Sequence, residues 1–435
     1  MNFEAAVQYL LSLGHETLTM KLGLRNTQLL LNSLHNPERA FRSVQIAGTN
    51  GKGSTATMLD SICRAAGIRT GLYTSPHLVS ITERIKLSNN EITGEDFAAC
   101  ATVVRDVSEQ LLRDNQIHAL PTFFEQLTAI AFLAFRNAAI ELAILETGLG
   151  GRLDSTTAAN ASVVGITQVA LDHQEYLGNT LASIASEKAA IIRPGVRAVI
   201  AKQQYAEALD VLLQRCKETA VYPVLVGDAH AIEAVTADGR FCVTFVTGND
   251  NYSRVALALR GRHQIDNAAV AIRLAELLRG AGFDVPHAAI VTGLETAQYA
   301  GRLELIQHKP AFLIDGAHNP AGAESLRTYL DEFAPRPLTL VFGAMRDKQL
   351  EEIGQLLFPA ADLLVPTTVA NPRSATIEML EPIASRFARG QVLNSELSAD
   401  ALQIALANTS REGMICVAGS LYLAGEMRPQ ILNMR

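Results

Sequence analysis

Residues 48–54 read Gly-Thr-Asn-Gly-Lys-Gly-Ser, types suited to gripping a chain of phosphates. Glycines 48, 51 and 53 let backbone N–H groups converge on anionic oxygens, and a helix opening behind them adds positive potential. Lys52 can neutralise the outer phosphates, and Ser54 or Thr55 can bring a hydroxyl to Mg²⁺. In the general phosphate-binding loop, Ser or Thr follows the lysine directly; here Gly53 intervenes between Lys52 and Ser54. The plainer alternative is a glycine turn capped by a hydroxyl, but the flanking runs and the lysine favour phosphate.

Other reactive residues stand at the ends of apolar runs. Glu146 closes the run Leu142–Glu146, where an unpartnered carboxylate is costly to bury. A metal ion fits beside a phosphate loop, and a cap on the following glycine loop is the alternative. His173 follows the run Val163–Ile166 and reads as a hydrogen-bonded structural ring or as a ligand. Lys188 lies among apolar neighbours: either its stem snorkels to solvent, or its amine is neutral enough to take up CO₂ and become a metal-binding carbamate. Asp315, His318 and Asn319 share one loop, although Asp and Asn also make ordinary turns. Arg302, after Gly301, can reach a phosphate from an interdomain hinge. Asn267 reads as a helix cap or an adenine contact.

These residues need strands and helices to hold them. The run 44–47 reads as a buried strand, and helical spacing follows Ser54 up to Gly67. Further strands are expected over 68–73, 142–146, 163–166 and 198–201, with helices over 94–114, capped by Thr93, 123–135, capped by Thr122, 181–192, 206–219 and 267–279. Residues 221–259, rich in β-branched and aromatic types, predict antiparallel strands. A second alternation begins near 300, with strands at 311–314, 338–342, 362–365 and 415–418 and helices at 324–333 and 350–357. The pattern predicts an α/β fold in two domains, 1–299 and 300–435, each with a mostly parallel sheet. Ligands in such sheets sit at the carboxyl ends of the strands, where the polar motifs fall.

The chain has 435 residues, 48% hydrophobic and 19% charged, with a net charge of −7. That describes a globular protein and argues against a general nucleic-acid binder. Cys63, Cys100, Cys216, Cys242 and Cys416 are dispersed without a C-x-x-C pattern, as expected of reduced thiols. With no leader pattern and no apolar run of about 20 residues, a cytoplasmic protein is expected, away from membranes.

Taken together, Gly48–Ser54, Tyr73-Thr-Ser-Pro-His-Leu78, Glu83-Arg-Ile85, Leu145-Glu-Thr-Gly-Leu-Gly-Gly-Arg152-Leu-Asp154, Leu171-Asp-His173, Glu187-Lys-Ala189, Asp315-Gly-Ala-His-Asn-Pro320 and Gly419-Ser-Leu-Tyr422 resemble the folylpolyglutamate synthase/dihydrofolate synthase family of the Mur ligase superfamily. The resemblance spans nearly the whole chain. It implies a P-loop-containing, Mur-ligase-like ATPase domain that also binds pterin, and a smaller Rossmann-like C-terminal domain for glutamate ligation. It implies an ATP-dependent ligase that adds L-glutamate to folate, and to dihydropteroate, through an acyl phosphate. Thr49, Asn50, Gly51, Lys52, Gly53 and Ser54 would hold ATP with Asn267, Arg302 and Asp315. Ser54, Ser75 and Glu146 would serve one Mg²⁺, and His173 with a carbamylated Lys188 a second. Lys52, Lys188 and His318 would be catalytic. Arg84, His318 and Ser420 would meet the incoming glutamate.

The resemblance also assigns Thr19, Met20, Lys21, Thr122, Phe123, Phe124, Glu125, Leu153 and Asp154 to the folate or pteroate site, with one phenylalanine stacked on the flat pterin. It implies a monomer with no nucleic-acid partner. The Ser-Pro-His loop and the lack of an N-terminal sugar-nucleotide domain argue against peptidoglycan substrates. Another Mur-type amide ligase and a nucleotide-binding switch without turnover are the other readings.

Overall fold

The computed structural model describes residues 1–14 and 23–434. The chain divides into two compact units: Met1–Ala229 with Val246–Tyr252 and Asp266–Ala297, and His230–Phe245 with Ser253–Ile265 and Gln298–Arg435. The last passage between units falls at Ala297/Gln298, and the second unit also takes two earlier segments. No described helix is long and apolar enough to cross a membrane.

The first unit is built on an eight-stranded sheet: β1 (Arg42–Ala47), β2 (Thr70–Tyr73), β3 (Ile85–Leu87), β4 (Asn90–Glu91), β5 (Leu142–Glu146), β6 (Val163–Ile166), β7 (Arg197–Ile200) and β8 (Val224–Leu225), in the order β4-β3-β2-β5-β1-β6-β7-β8. From β2 to β8 every pairing is parallel, while β3 and β4 extend one edge antiparallel. All residues of β2, β5 and β6 are buried, as befits strands covered on both faces, and this is why they read as continuous apolar runs. Thr93 caps the helix Gly94–Arg113. Thr122 and Glu125 form a reciprocal capping box on the helix Phe123–Asn137. The helix expected over 181–192 ends at Ala189, and the one expected from Asn267 already begins at His263. Asn267 is therefore inside a helix, and its cap reading is set aside.

Within 221–259, β8 joins the first sheet in parallel with β7. The remainder forms a separate sheet, β11 (Asn251–Arg260), β10 (Arg240–Val246) and β9 (His230–Val235), in which β9 and β10 pair antiparallel, as the sequence predicts.

The second unit carries a six-stranded sheet: β12 (Glu304–Ile306), β13 (Ala311–Ile314), β14 (Leu338–Phe342), β15 (Leu363–Pro366), β16 (Gln391–Val392) and β17 (Met414–Ala418), ordered β12-β13-β17-β14-β15-β16. Only β12 pairs antiparallel. The helices Ile377–Phe387 and Ser398–Asn408 were not anticipated. The first contains Pro382, a residue that normally ends a helical reading.

Candidate active site

In the first unit the phosphate loop leaves the carboxyl end of β1. Gly48 and Gly51 take φ of +149° and +87°, values that favour glycine. Space requires glycine as well: a Cβ at Gly48 would lie 1.9 Å from Thr167 Oγ1, and one at Gly51 would lie 2.2 Å from Asn267 Oδ1. The helix Lys52–Ala65 follows at once, so its N-terminal amides face the loop. The segment after β6 pins the loop from outside: Thr49 and Asn50 N–H donate to the Gln168 carbonyl at 2.8 and 3.3 Å, and Thr49 Oγ1 donates to Ala170 O at 3.0 Å. Gln203 braces that segment by accepting from Val169 N–H and donating to Thr167 O. No motif pointed to Thr167, Gln168 or Gln203, because their roles depend on strands distant in sequence.

Two lysines converge on the turn. Lys52 Nζ donates to Gly48 O and Thr49 O, each at 3.1 Å, and Lys188 Nζ donates to Gly48 O at 2.7 Å. Lys188 is 4% exposed, so the snorkelling alternative is set aside. Burial, and then the neighbouring Lys52 charge, push its amine down to about 7 from an ordinary 10.5.

Glu146, also buried, stands level with Ile46 of β1 and accepts the Ser75 N–H at 3.2 Å. This brings Ser75, Glu146 and the loop bearing Ser54 to adjoining strand ends. Their oxygens are hard donors of the type Mg²⁺ takes. His173 begins the short helix Gln174–Leu177 with φ +50°, its N–H bonded to Asp172 Oδ1 at 2.9 Å. No group of three or more His, Cys, Asp or Glu gathers as a metal cluster among the described residues. The oxygen, nitrogen and amine groups nearby are thus one carboxylate with hydroxyls, a histidine and Lys188.

The helix capped by Thr122 lies beside this arrangement. A Cβ at Gly148 would come within 2.5 Å of Phe124 Cζ, so Phe124 covers the loop that leaves Glu146. Phe124 keeps open surface, whereas Phe123 is buried with the Arg84 guanidinium 5.5 Å from its ring centroid. Arg84 is itself buried, and its Nε donates to His77 Nδ1 at 2.8 Å. Glu125 accepts from Thr122 N–H at 2.7 Å and from Thr27 Oγ1 at 3.3 Å. Asp154 accepts from Leu149 N–H, Thr156 N–H and Thr156 Oγ1 at 2.9, 3.0 and 2.5 Å. Burial raises its carboxyl against these bonds, and it organises the loop holding Leu153. Thr19, Met20 and Lys21 lie outside the described residues.

The second unit brings its own residues to the carboxyl ends of β13 and β17. Asp315 accepts from Leu303 N–H and Ala317 N–H, both at 2.9 Å. Burial raises its carboxyl, with the Arg302 charge opposing. His318 Nδ1 lies 2.8 Å from Gly316 O. A carbonyl can only accept, so Nδ1 carries the proton and a neutral ring keeps Nε2 as an acceptor. Asn319 caps the helix Pro320–Phe333, and Ser420 caps Leu421–Leu432 through Leu423 N–H at 3.1 Å. His263 is a neighbour that no motif flagged: burial, then Arg302, push its ring down to about 4.

A glycine-turned loop joined to a buried lysine whose amine is pushed down to about 7 suits a nucleotide whose terminal phosphate is to be transferred. The comparisons agree. Residues 46–275 match the Mur ligase middle domain, and residues 301–421 match the Mur ligase glutamate ligase domain. Fold and site thus define an ATP-dependent amide ligase, an enzyme that joins an acid to an amino acid through a C–N bond. The dihydrofolate synthase/folylpolyglutamate synthase of Bacillus subtilis is 34% identical over 95% of this chain and 95% of its own. The structure of Mycobacterium tuberculosis folylpolyglutamate synthase complexed with ADP superposes with a TM-score of 0.91 at 32% identity, covering 100% of both chains. That of Escherichia coli FolC in complex with DHPP and ADP gives 0.87 at 28% identity, over 99% of this chain and 98% of that one. The chain spans about half the length, 50% and 51%, of two haloarchaeal relatives described as bifunctional folylpolyglutamate synthase/dihydropteroate synthases. The chain belongs to the folylpolyglutamate synthase/dihydrofolate synthase family, whose members ligate glutamate to folates with ATP.

Proposed function

We propose that this chain adds L-glutamate to folate, and to dihydropteroate, through an acyl phosphate. The observation that carries the reading is the packing of Phe124 on Gly148, two positions beyond Glu146: an aromatic platform for a flat acceptor adjoins the residues that would manage the phosphate. The acceptor carboxylate attacks the γ-phosphorus of ATP and expels ADP, giving the acyl phosphate, and the glutamate amine then attacks the acyl carbon, loses a proton and expels phosphate. Lys52 and the loop amides of 49–54 hold the phosphates and offset charge on the transferring oxygens. Asn267, Arg302 and Asp315 contact the nucleotide. Ser54, Ser75 and Glu146 would hold one Mg²⁺, and His173 with a carbamylated Lys188 a second; when bound, these ions supply charge neutralisation at the phosphates. His318 Nε2 can take a proton from the glutamate amine, with Arg84 and Ser420 as further contacts for that substrate. Thr122, Phe123, Phe124, Glu125, Leu153 and Asp154 line or support the acceptor site.

In this reading the first unit holds the phosphate loop and the pterin site, the second contributes Arg302 and Asp315 toward the nucleotide and His318 and Ser420 toward glutamate, and the protein works as a cytoplasmic monomer. The test measures ADP release with ATP, Mg²⁺ and glutamate, adding folate forms and dihydropteroate in turn. Release that requires both glutamate and one of these acceptors supports the proposal, and turnover with dihydropteroate marks a bifunctional enzyme. No turnover with any acceptor overturns it. Turnover with another acid and amino acid would point to a different Mur-type ligase, and nucleotide binding without amino-acid-dependent turnover to a switch.

A further inference from the structure

Arg302 sits in a segment with an unusual backbone. Gly301 and Leu303 both have left-handed φ, +68° and +43°, and a leucine rarely adopts that conformation. It persists only where the surroundings over-determine it. Leu303 is enclosed, 1% exposed, and its N–H donates to Asp315 Oδ2 at 2.9 Å. The Gly301 carbonyl accepts from Gly316 N–H at 2.9 Å. The Gly301 N–H, on the other side of Arg302, donates to Glu304 Oε2 at 2.9 Å.

Glu304 is held in turn. Arg428, on the helix capped by Ser420, donates Nε to Oε1 and Oε2 of Glu304 at 3.0 and 2.9 Å, and Nη2 to Oε1 at 2.8 Å. Both side chains are largely enclosed, Arg428 27% and Glu304 19% exposed. A two-pronged guanidinium–carboxylate pair fixes direction as well as distance, and lysine cannot reproduce it. The Arg302 guanidinium lies over Gly316, where a Cβ would meet its Nη1 at 3.2 Å. Its direction therefore depends on how the flanking backbone is fastened.

We propose that Glu304, clamped by Arg428, is a positioning residue that directs Arg302 and so sets nucleotide affinity. This rests on the reading of Arg302 as an ATP contact. The test measures binding of a non-hydrolysable ATP analogue to the full chain with Mg²⁺, by calorimetry. It needs no acceptor, so failure of the folate reading leaves it intact. Glu304→Ala and Arg428→Ala should each weaken binding by about tenfold, the effect of one charge-assisted hydrogen bond. Glu304→Gln keeps an acceptor for Gly301 and Arg428→Lys keeps the charge, so both should be intermediate. In an Arg302→Ala background, Glu304→Ala should lower the melting temperature but weaken the analogue no further, a non-additivity that a merely structural role would not produce. Additive losses in the double variant overturn the proposal, as does wild-type affinity in Arg302→Ala. Should the alanine variants fail to fold, wild-type affinity in both Glu304→Gln and Arg428→Lys overturns it.

Discussion

The amine of Lys188 donates to the carbonyl oxygen of Gly48 at 2.7 Å. A buried lysine is thereby joined to the glycine turn that follows β1, and its acceptor is neutral rather than anionic. Burial and the Lys52 charge then push its amine down to about 7, so that charged and neutral forms coexist near physiological pH.

This has a stability signature of definite sign. The Lys188 amine titrates near 7 in the folded chain against 10.5 ordinarily. Between these values the unfolded chain binds more protons, so this group lets stability rise with pH; below 7 its penalty is fully present. Lys188→Met should raise the melting temperature most below pH 7, with the gain shrinking toward pH 10. Melts across that range, in buffer freed of CO₂, check it, and a gap independent of pH would contradict the shifted amine.

The same residue has a catalytic prediction. Lys188→Ala should lose activity, and a short carboxylic acid should restore part of it by standing in for a carbamate. Steady-state rates with and without the acid are the measurement. Full activity in the alanine variant would remove the lysine from the mechanism.

Gly51→Ala combines a +87° φ with a Cβ 2.2 Å from Asn267 Oδ1. The backbone effect alone costs about 1–2 kcal/mol of stability, and nucleotide affinity should fall as well if the turn relaxes away from its native shape. Adding Asn267→Gly relieves the collision but not the dihedral, and should recover stability only in part. Calorimetry and thermal melts on both variants separate the two causes.

The adjacent phenylalanines should behave differently. Phe123 is 4% exposed, so Phe123→Ala should cost about 3–5 kcal/mol of stability. Phe124→Ala should cost less and raise the acceptor KM by about tenfold, the loss of one aromatic contact. Denaturant unfolding and acceptor titration of each variant test the contrast. Equal effects on KM would make the ring on Gly148 a packing residue only.

For His318, Nδ1–H donates to the Gly316 carbonyl, which orients the ring that the proposed mechanism sets beside the glutamate amine. His318→Asn should raise the glutamate KM and lower kcat by about 10²-fold or more, the usual scale of general-base assistance. Analogue affinity should stay within about twofold, since the ring has no assigned nucleotide contact. A glutamate KM equal to wild type would place the residue outside that site.

Much of the scaffold was legible because buried parallel strands are continuous apolar runs. The spans of β5, β6, β13 and β14 agree with the sequence reading to the residue, and Thr93 and Thr122 cap as expected. Reading was weaker where local signals mislead. Pro382 lies inside a helix, and the helix carrying Asn267 begins at His263, ahead of the residue that looked like its cap.

The sequence by itself determined the phosphate loop, the strand-end carboxylate at Glu146 and the Asp315–Asn319 cluster, because each follows from residues adjacent along the chain. Whether Lys188 reached solvent, whether Phe123 or Phe124 kept an open face, and what held Arg302 were decided only by the tertiary structure. Those outcomes depend on desolvation and on contacts between segments far apart in sequence: Lys188 with Gly48, Phe124 with Gly148, Arg428 with Glu304. A side chain's local neighbours carry its chemistry, but its charge state and direction are set by whatever the fold packs against it.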